Sequence, residues 1–167
     1  MAMVFRRASK GFTLLELMVT IAVAAVLLSL AVPSFTDATL SGKLTASAND
    51  LVAGVALGRS EAIKRNAVTS MCVSSNGSTC LASGGWEQGW IILSGGSVIQ
   101  KHAAAPGGFK VTSTAAKIDF QPSGVGNTQA TITVCRATPT VGSQERVVQV
   151  DATGRAYVSK TTNGSCS

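Results

Sequence analysis

The sequence predicts an α+β chain, in which a long N-terminal helix, apolar in its first half and amphipathic in its second, packs on a small antiparallel β-sheet domain. Three observations predict it. The chain is 46% apolar and only 13% charged, with the apolar residues gathered in one early run. After that run, apolar residues recur at helical spacing. Beyond Asn66 the texture changes to short β-rich runs broken by Gly, Ser, Pro and Asn. At 167 residues there is room for one domain and an accessory segment, but not for two cores of ordinary size.

The early run, Phe12 to Phe35, reads FTLLELMVTIAVAAVLLSLAVPSF and carries a single charge, Glu16. It exceeds the roughly 20 residues that cross a bilayer as a helix, so residues 12–35 are read as a membrane segment. The basic head, Arg6, Arg7 and Lys10, stays cytoplasmic by the positive-inside rule and sends the C-terminal part across. An ordinary secretory signal cut near Ser29-Leu30-Ala31 is the alternative. It is disfavoured because the run is too long for a signal h-region and because Glu16 sits inside it.

The residues Lys10-Gly11-Phe12-Thr13-Leu14-Leu15-Glu16-Leu17 resemble the leader of type IV pilins and type II secretion pseudopilins. The resemblance implies a leader of residues 1–11, a prepilin peptidase cutting after Gly11, and methylation of the new N-terminal Phe12. Glu16 then takes the fifth mature position, where the family keeps its glutamate. A carboxylate in the bilayer core costs on the order of a few kcal/mol unless it finds a partner. The α-amino group of a cleaved Phe12, from the same or a neighbouring subunit, is such a partner and exists only after processing. Pro33, 21 residues after Phe12, stands where similar pilins have a proline that kinks the helix or lets it melt on assembly. Losing Arg6, Arg7 and Lys10 takes the 14 basic residues to 11 against 8 acidic ones, which is weak support for a polyanion partner.

In residues 36–66, the positions Leu40, Leu44, Ala48, Leu51, Val55 and Ala62 define the stripe of an amphipathic helix, with Ile63 adjoining; Lys43, Asp50 and Glu61 fall off it. Continued from Phe12, the helix reaches about Arg65 and is roughly 80 Å long at 1.5 Å per residue. Residues 67–167 form the periplasmic β domain. Strands are read at Val68 to Val73, Trp90 to Leu93, Val98 to His102, Phe109 to Thr112, Lys117 to Gln121 and Thr131 to Arg136. A last pair, Arg146 to Val150 and Arg155 to Ser159, flanks the hairpin turn Asp151-Ala152-Thr153-Gly154. The stretches Ser74 to Gly85 and Thr138 to Ser143 read as mobile loops.

Several blocks in order resemble the GspH/FimT group of minor pilins and pseudopilins. They are Arg59-Ser60-Glu61-Ala62-Ile63-Lys64-Arg65-Asn66 followed by Val68 to Cys72, then Gly89-Trp90, Ile118-Asp119-Phe120 with Gly124, Ile132-Thr133-Val134-Cys135 and Gly154-Arg155. The resemblance covers most of residues 12–166 and implies a type IV pilin-like fold.

Four cysteines, Cys72, Cys80, Cys135 and Cys166, all follow the apolar run and point to disulfides in an oxidising compartment. Three connectivities are open. Cys72 with Cys80 and Cys135 with Cys166 is favoured, because a local loop and a terminal staple need little rearrangement. Zinc is disfavoured, since there is no CxxC pair and His102 is the only histidine. No metal or other cofactor is expected. A hydrolase needs a nucleophile with an orienting base, yet no GxSxG motif occurs; Gly124-Val125-Gly126 and Gly95-Gly96 match no phosphate-binding loop and read as turns. Trp86 and Trp90 read as packing residues.

The implied function is that of a non-catalytic minor pilin that primes or caps a type IV pilus. Its expected partners are other minor and major pilins or pseudopilins, prepilin peptidase and the inner membrane. The chain would cross that membrane once and end at the filament tip. One alternative is a minor pseudopilin at the tip of the type II secretion pseudopilus. The other is DNA binding for uptake, because some FimT-like members bind DNA through a C-terminal Gly-Arg-x-Arg motif. Gly154-Arg155-Ala156-Tyr157 matches it in part. Arg155, Lys160, Arg146 and Arg136 are the basic candidates for phosphate, and Tyr157 for stacking on a base.

Overall fold

The structure, a computed structural model, describes residues 11–138, 142 and 144–163; the side chains of residues 30–34 are outside that set. The chain forms two units that meet between Thr39 and Leu40, and one helix, α1 (Leu14–Arg65), contributes to both.

In the first unit Thr13 caps the start of α1. The Thr13 hydroxyl accepts the Glu16 backbone N–H at 3.2 Å, and Glu16 Oε2 in turn accepts the Thr13 backbone N–H at 3.3 Å and the Thr13 hydroxyl at 3.2 Å. This reciprocal pair is a capping box, encoded by Thr-x-x-Glu, and it satisfies donors that a helix start otherwise leaves open. Thr20 and Ser29 donate their hydroxyls back to the carbonyls of Leu17 and Val26, so neither leaves an unpaired polar group in the apolar run. The large apolar side chains from Leu14 to Leu28 are all exposed. The backbone stays helical through Pro33. Among the described residues no helix is long and apolar enough to cross a membrane.

The second unit is built on α1 from Leu40 onward. Leu40, Leu44, Ala48, Leu51, Val55 and Ala62 all enter its core, while Ile63 is half exposed. Small residues set how closely the helix lies on the strands. A Cβ added to Gly54 would stand 2.6 Å from Trp90 Cη2, and one on Gly58 would stand 2.9 Å from Phe120 Cε2. The helix ends in a Schellman motif: Asn66 takes the left-handed conformation at φ 49°, its N–H reaches Ile63 O, and Ala67 N–H reaches Ala62 O. Glu61, read as lying off the buried stripe, is only 8% exposed. Its carboxylate turns back to Arg65 at 2.6 Å and Lys64 at 3.5 Å, which stabilises the charge without an outward-facing position.

Eight strands follow: β1 (Thr69–Val73), β2 (Trp90–Ser94), β3 (Ser97–His102), β4 (Phe109–Ser113), β5 (Lys117–Phe120), β6 (Ala130–Arg136), β7 (Glu145–Val150) and β8 (Ala156–Thr161). They form two four-stranded antiparallel sheets, ordered β3-β2-β1-β5 and β4-β6-β7-β8. The consecutive strands β4 and β5 therefore lie in different sheets. The chain turns between them at Ser113–Ala116, where Ala115 O accepts the Trp86 indole N–H at 2.9 Å and Ala116 O accepts the Val73 N–H at 3.0 Å. Gly95 and Gly96, both at positive φ, make the two-residue turn between β2 and β3. Trp86 and Trp90 are buried.

The stretch from Ser74 to Gly85, read as mobile, is tied down: Cys72 and Cys80 are disulfide-bonded, and Asn76 Oδ1 accepts the backbone N–H groups of Ser78 and Thr79. Cys135 is also disulfide-bonded; Cys166, its expected partner, lies outside the described residues, as does most of the Thr138 to Ser143 loop.

Candidate functional site

Two regions carry the residues singled out from the sequence. The first is the head of α1, where Gly11, Phe12 and Glu16 are all exposed. The role of Glu16 as a helix cap escaped the charge-based reading, although Thr13-x-x-Glu16 was there to signal it. The side chain of Pro33 lies outside the described residues.

The second region is the junction where α1, the 121–127 loop and the β7–β8 turn converge. Arg59 donates its Nε–H to Gly124 O at 2.8 Å. Gly124 and Gly154 both have positive φ, and a Cβ on Gly154 would stand 2.8 Å from Gly124 O. The two backbones are in contact, and no side chain fits between them. In the turn, Asp151 Oδ1 accepts the Thr153 hydroxyl at 2.7 Å, the Thr153 N–H at 2.8 Å and the Arg155 N–H at 3.0 Å. These bonds, led by the Thr153 hydroxyl, hold the Asp151 carboxyl below the usual carboxylate range. Glu61 is likewise held low, chiefly by its bond to Arg65. A groove of about 410 Å³ opens at the junction, with Arg59 and Arg155 over apolar walls of Val52, Val55 and Ile63.

The five residues considered for DNA do not form one patch. Arg146 is 7% exposed and committed: Nη2 donates to Ser41 Oγ at 2.8 Å, Nε to Thr45 Oγ1 at 3.2 Å and Nη1 to Glu145 O at 3.1 Å. It bolts β7 to α1, a correction to its reading as a phosphate contact. Lys160 pairs with Arg146 across β7 and β8, toward the far end of these strands from Arg155. Arg136 is half-buried at the end of β6. Arg155 lines the helix-side groove, whereas Tyr157 lines a different groove on the sheet. A phosphate on Arg155 and a base on Tyr157 would thus belong to two surfaces.

His102 stacks on Trp90 with ring centroids 4.6 Å apart and planes 5° from parallel. Its Nδ1 faces Ala103 O at 2.9 Å and its Nε2 faces Asp50 Oδ2 at 3.3 Å, tying β3 to α1. The ring therefore has a packing role. Among the described residues no cluster of three or more His, Cys, Asp or Glu side chains suits a metal ion.

Comparison with known proteins agrees with this architecture. Residues 6–32 match the prokaryotic N-terminal methylation motif, which indicates a prepilin-like chain anchored at the inner membrane. Residues 47–154 match the type II transport protein GspH. None of the curated proteins matches the chain. Among solved structures, the type IV minor pilin FimU of Pseudomonas aeruginosa superposes with a TM-score of 0.60 at 21% identity, covering 76% of this chain and 97% of its own. The minor pseudopilin EpsH from the type 2 secretion system of Vibrio cholerae gives 0.50 at 14% identity, covering 70% and 96%. Subunits of this kind are structural and assemble with other pilins or pseudopilins. With its methylation motif, its single long helix on two antiparallel sheets and a GspH match over most of its length, the chain belongs to the GspH family of minor pilins and pseudopilins.

Proposed function

We propose that the chain is a non-catalytic minor pilin that primes or caps a type IV pilus. The observation that carries this reading is the start of α1, where the large apolar side chains from Leu14 to Leu28 are all exposed behind a single acid at the helix head. Such a surface is stable only against lipid or against the same helix of other subunits. Prepilin peptidase would cut after Gly11, Phe12 would be methylated, and the amine so created would neutralise Glu16 in the apolar filament core. Residues 12–35 would hold the chain in the inner membrane, N-terminus cytoplasmic and β unit periplasmic, until assembly carries it to the filament tip. Pro33 would let the helix adjust there. The better superposition on a type IV minor pilin than on a pseudopilin supports the pilus.

The GspH match supports a second reading, a minor pseudopilin at the tip of the secretion pseudopilus. DNA uptake loses support, because Arg146 is committed to α1 and Arg155 and Tyr157 face different grooves. Deletion of the gene, scored for surface pili, protein secretion and DNA uptake, separates the three. Loss of pili is expected, and loss of secretion alone would overturn the pilus assignment. N-terminal sequencing of the cell-derived protein should begin at methylated Phe12, and a start at Val32 would refute the filament reading itself.

A further inference from the structure

The second sheet carries a polar groove of about 370 Å³ that the filament role leaves unused. One cross-strand row builds it. Thr131 on β6 stands opposite Gln149 on β7, which stands opposite Tyr157 on β8, so the three side chains share one face. Thr114 extends the row beyond Thr131, fixed there by two hydrogen bonds: Thr114 N–H donates to Thr131 O at 3.1 Å, and Thr131 N–H donates to Thr114 Oγ1 at 3.0 Å. Gln129 and Asp151, just past the Ala130–Val150 pair, line one flank of the row. The result is a ladder of hydroxyl, hydroxyl, amide and aromatic ring with neighbours about 4.8 Å apart, a step comparable to one hexose ring.

The chemistry selects among ligands. Tyr157, 54% exposed at the sheet edge, offers a ring face and a phenol. Gln129 and Gln149 each offer donor and acceptor together, and threonine hydroxyls do the same. No cation lines the groove among the described residues, and Asp151 brings negative charge, so a polyanion is disfavoured. An apolar peptide side chain would find no pocket deep enough to bury it. A ligand rich in neutral hydroxyls, with one carbon-hydrogen face to lay on an aromatic ring, matches every feature.

We propose that this row, Thr114–Thr131–Gln149–Tyr157, is a binding site for a neutral carbohydrate chain, with Tyr157 as the stacking platform and Gln149 as the main reader of hydroxyl groups. The site is shallow and open, so affinity for a short oligosaccharide should be on the order of millimolar. The reading holds for either filament machine.

The test is saturation-transfer NMR on the full chain in lipid nanodiscs, with cellotetraose as the probe. Saturable transfer to the sugar ring protons is expected, falling at least about tenfold in Tyr157→Ala, retained in Tyr157→Trp, and unchanged when salt is raised to about 0.5 M. Gln149→Ala is the second variant should Tyr157→Ala lose its fold; it should weaken transfer several-fold. Absence of saturable transfer, or transfer that survives both alanine variants, would overturn the proposal. So would displacement of the sugar by oligothymidylate in a salt-sensitive manner, which would make the groove a nucleic-acid site.

Discussion

Alanine at each of three glycines of α1 separates helix propensity from packing. In an exposed helix interior, Gly→Ala gains about 0.8–1 kcal/mol. Gly42 has nothing within 4 Å of an added Cβ, so Gly42→Ala should raise stability by that full amount. At Gly54 the added methyl would meet Trp90 Cη2 at 2.6 Å, Trp90 Cζ3 at 2.9 Å and Met71 Cε at 2.9 Å. Carbon atoms rest roughly 3.5–4 Å apart, so contact must open by about 1 Å. The Met71 methyl can swing aside, but Trp90 is held on its strand between Val73 and His102 and stacked on the His102 ring. Overpacking of this kind costs about 1–3 kcal/mol. Because the propensity gain is common to both substitutions, Gly54→Ala should fall below Gly42→Ala by about that cost, which at roughly 2–4 °C per kcal/mol is a Tm difference of about 2–12 °C. Gly58→Ala, with Phe120 Cε2 at 2.9 Å and Cδ2 at 3.1 Å, should fall between the two. Thermal unfolding of the full chain in nanodiscs, followed by tryptophan fluorescence, reads the series. A Gly54→Ala protein as stable as Gly42→Ala would refute the close approach of helix and sheet.

Two arginines offer a second contrast. Arg146→Ala removes a charged group with three hydrogen bonds at the α1–β7 seam and should cost about 1–3 kcal/mol in urea unfolding, whereas exposed Arg155→Ala should stay within about 0.5 kcal/mol; equal losses would contradict the burial of Arg146. The pH dependence follows from Asp151, whose folded carboxyl titrates below its unfolded value. Its stabilising effect is thus complete above the ordinary carboxylate range and is lost as pH falls through the folded value. The stability gap between wild type and Asp151→Asn should be constant at neutral pH and shrink on acidification; a gap that widens in acid would mean that the turn does not hold the charged form.

Much of the fold was legible because its signals are periodic. Leu40, Leu44, Ala48, Leu51, Val55 and Ala62 repeat at helical spacing, and each strand lies within two residues of its β-rich run. Glu61 defeated periodicity, since a side chain can bend back to Arg65 from a position whose backbone points elsewhere. The division of the strands into two sheets was also hidden. It depends on which distant strand each one pairs with, a long-range choice fixed partly by the Trp86 indole on Ala115 O. The candidate site was legible as a set of residue types and not as a place. Arg146 and Arg155 look alike in sequence, and only their partners distinguish a bolt from a free side chain.

The meeting of Gly124 with Gly154 bears on how Gly-Arg motifs in such subunits are read. At this turn the glycine is demanded by a neighbouring loop that leaves it no volume, whatever the arginine after it does. Replacing the arginine leaves this contact intact and replacing the glycine does not, so the dipeptide's first half is fixed by architecture and its second half is not.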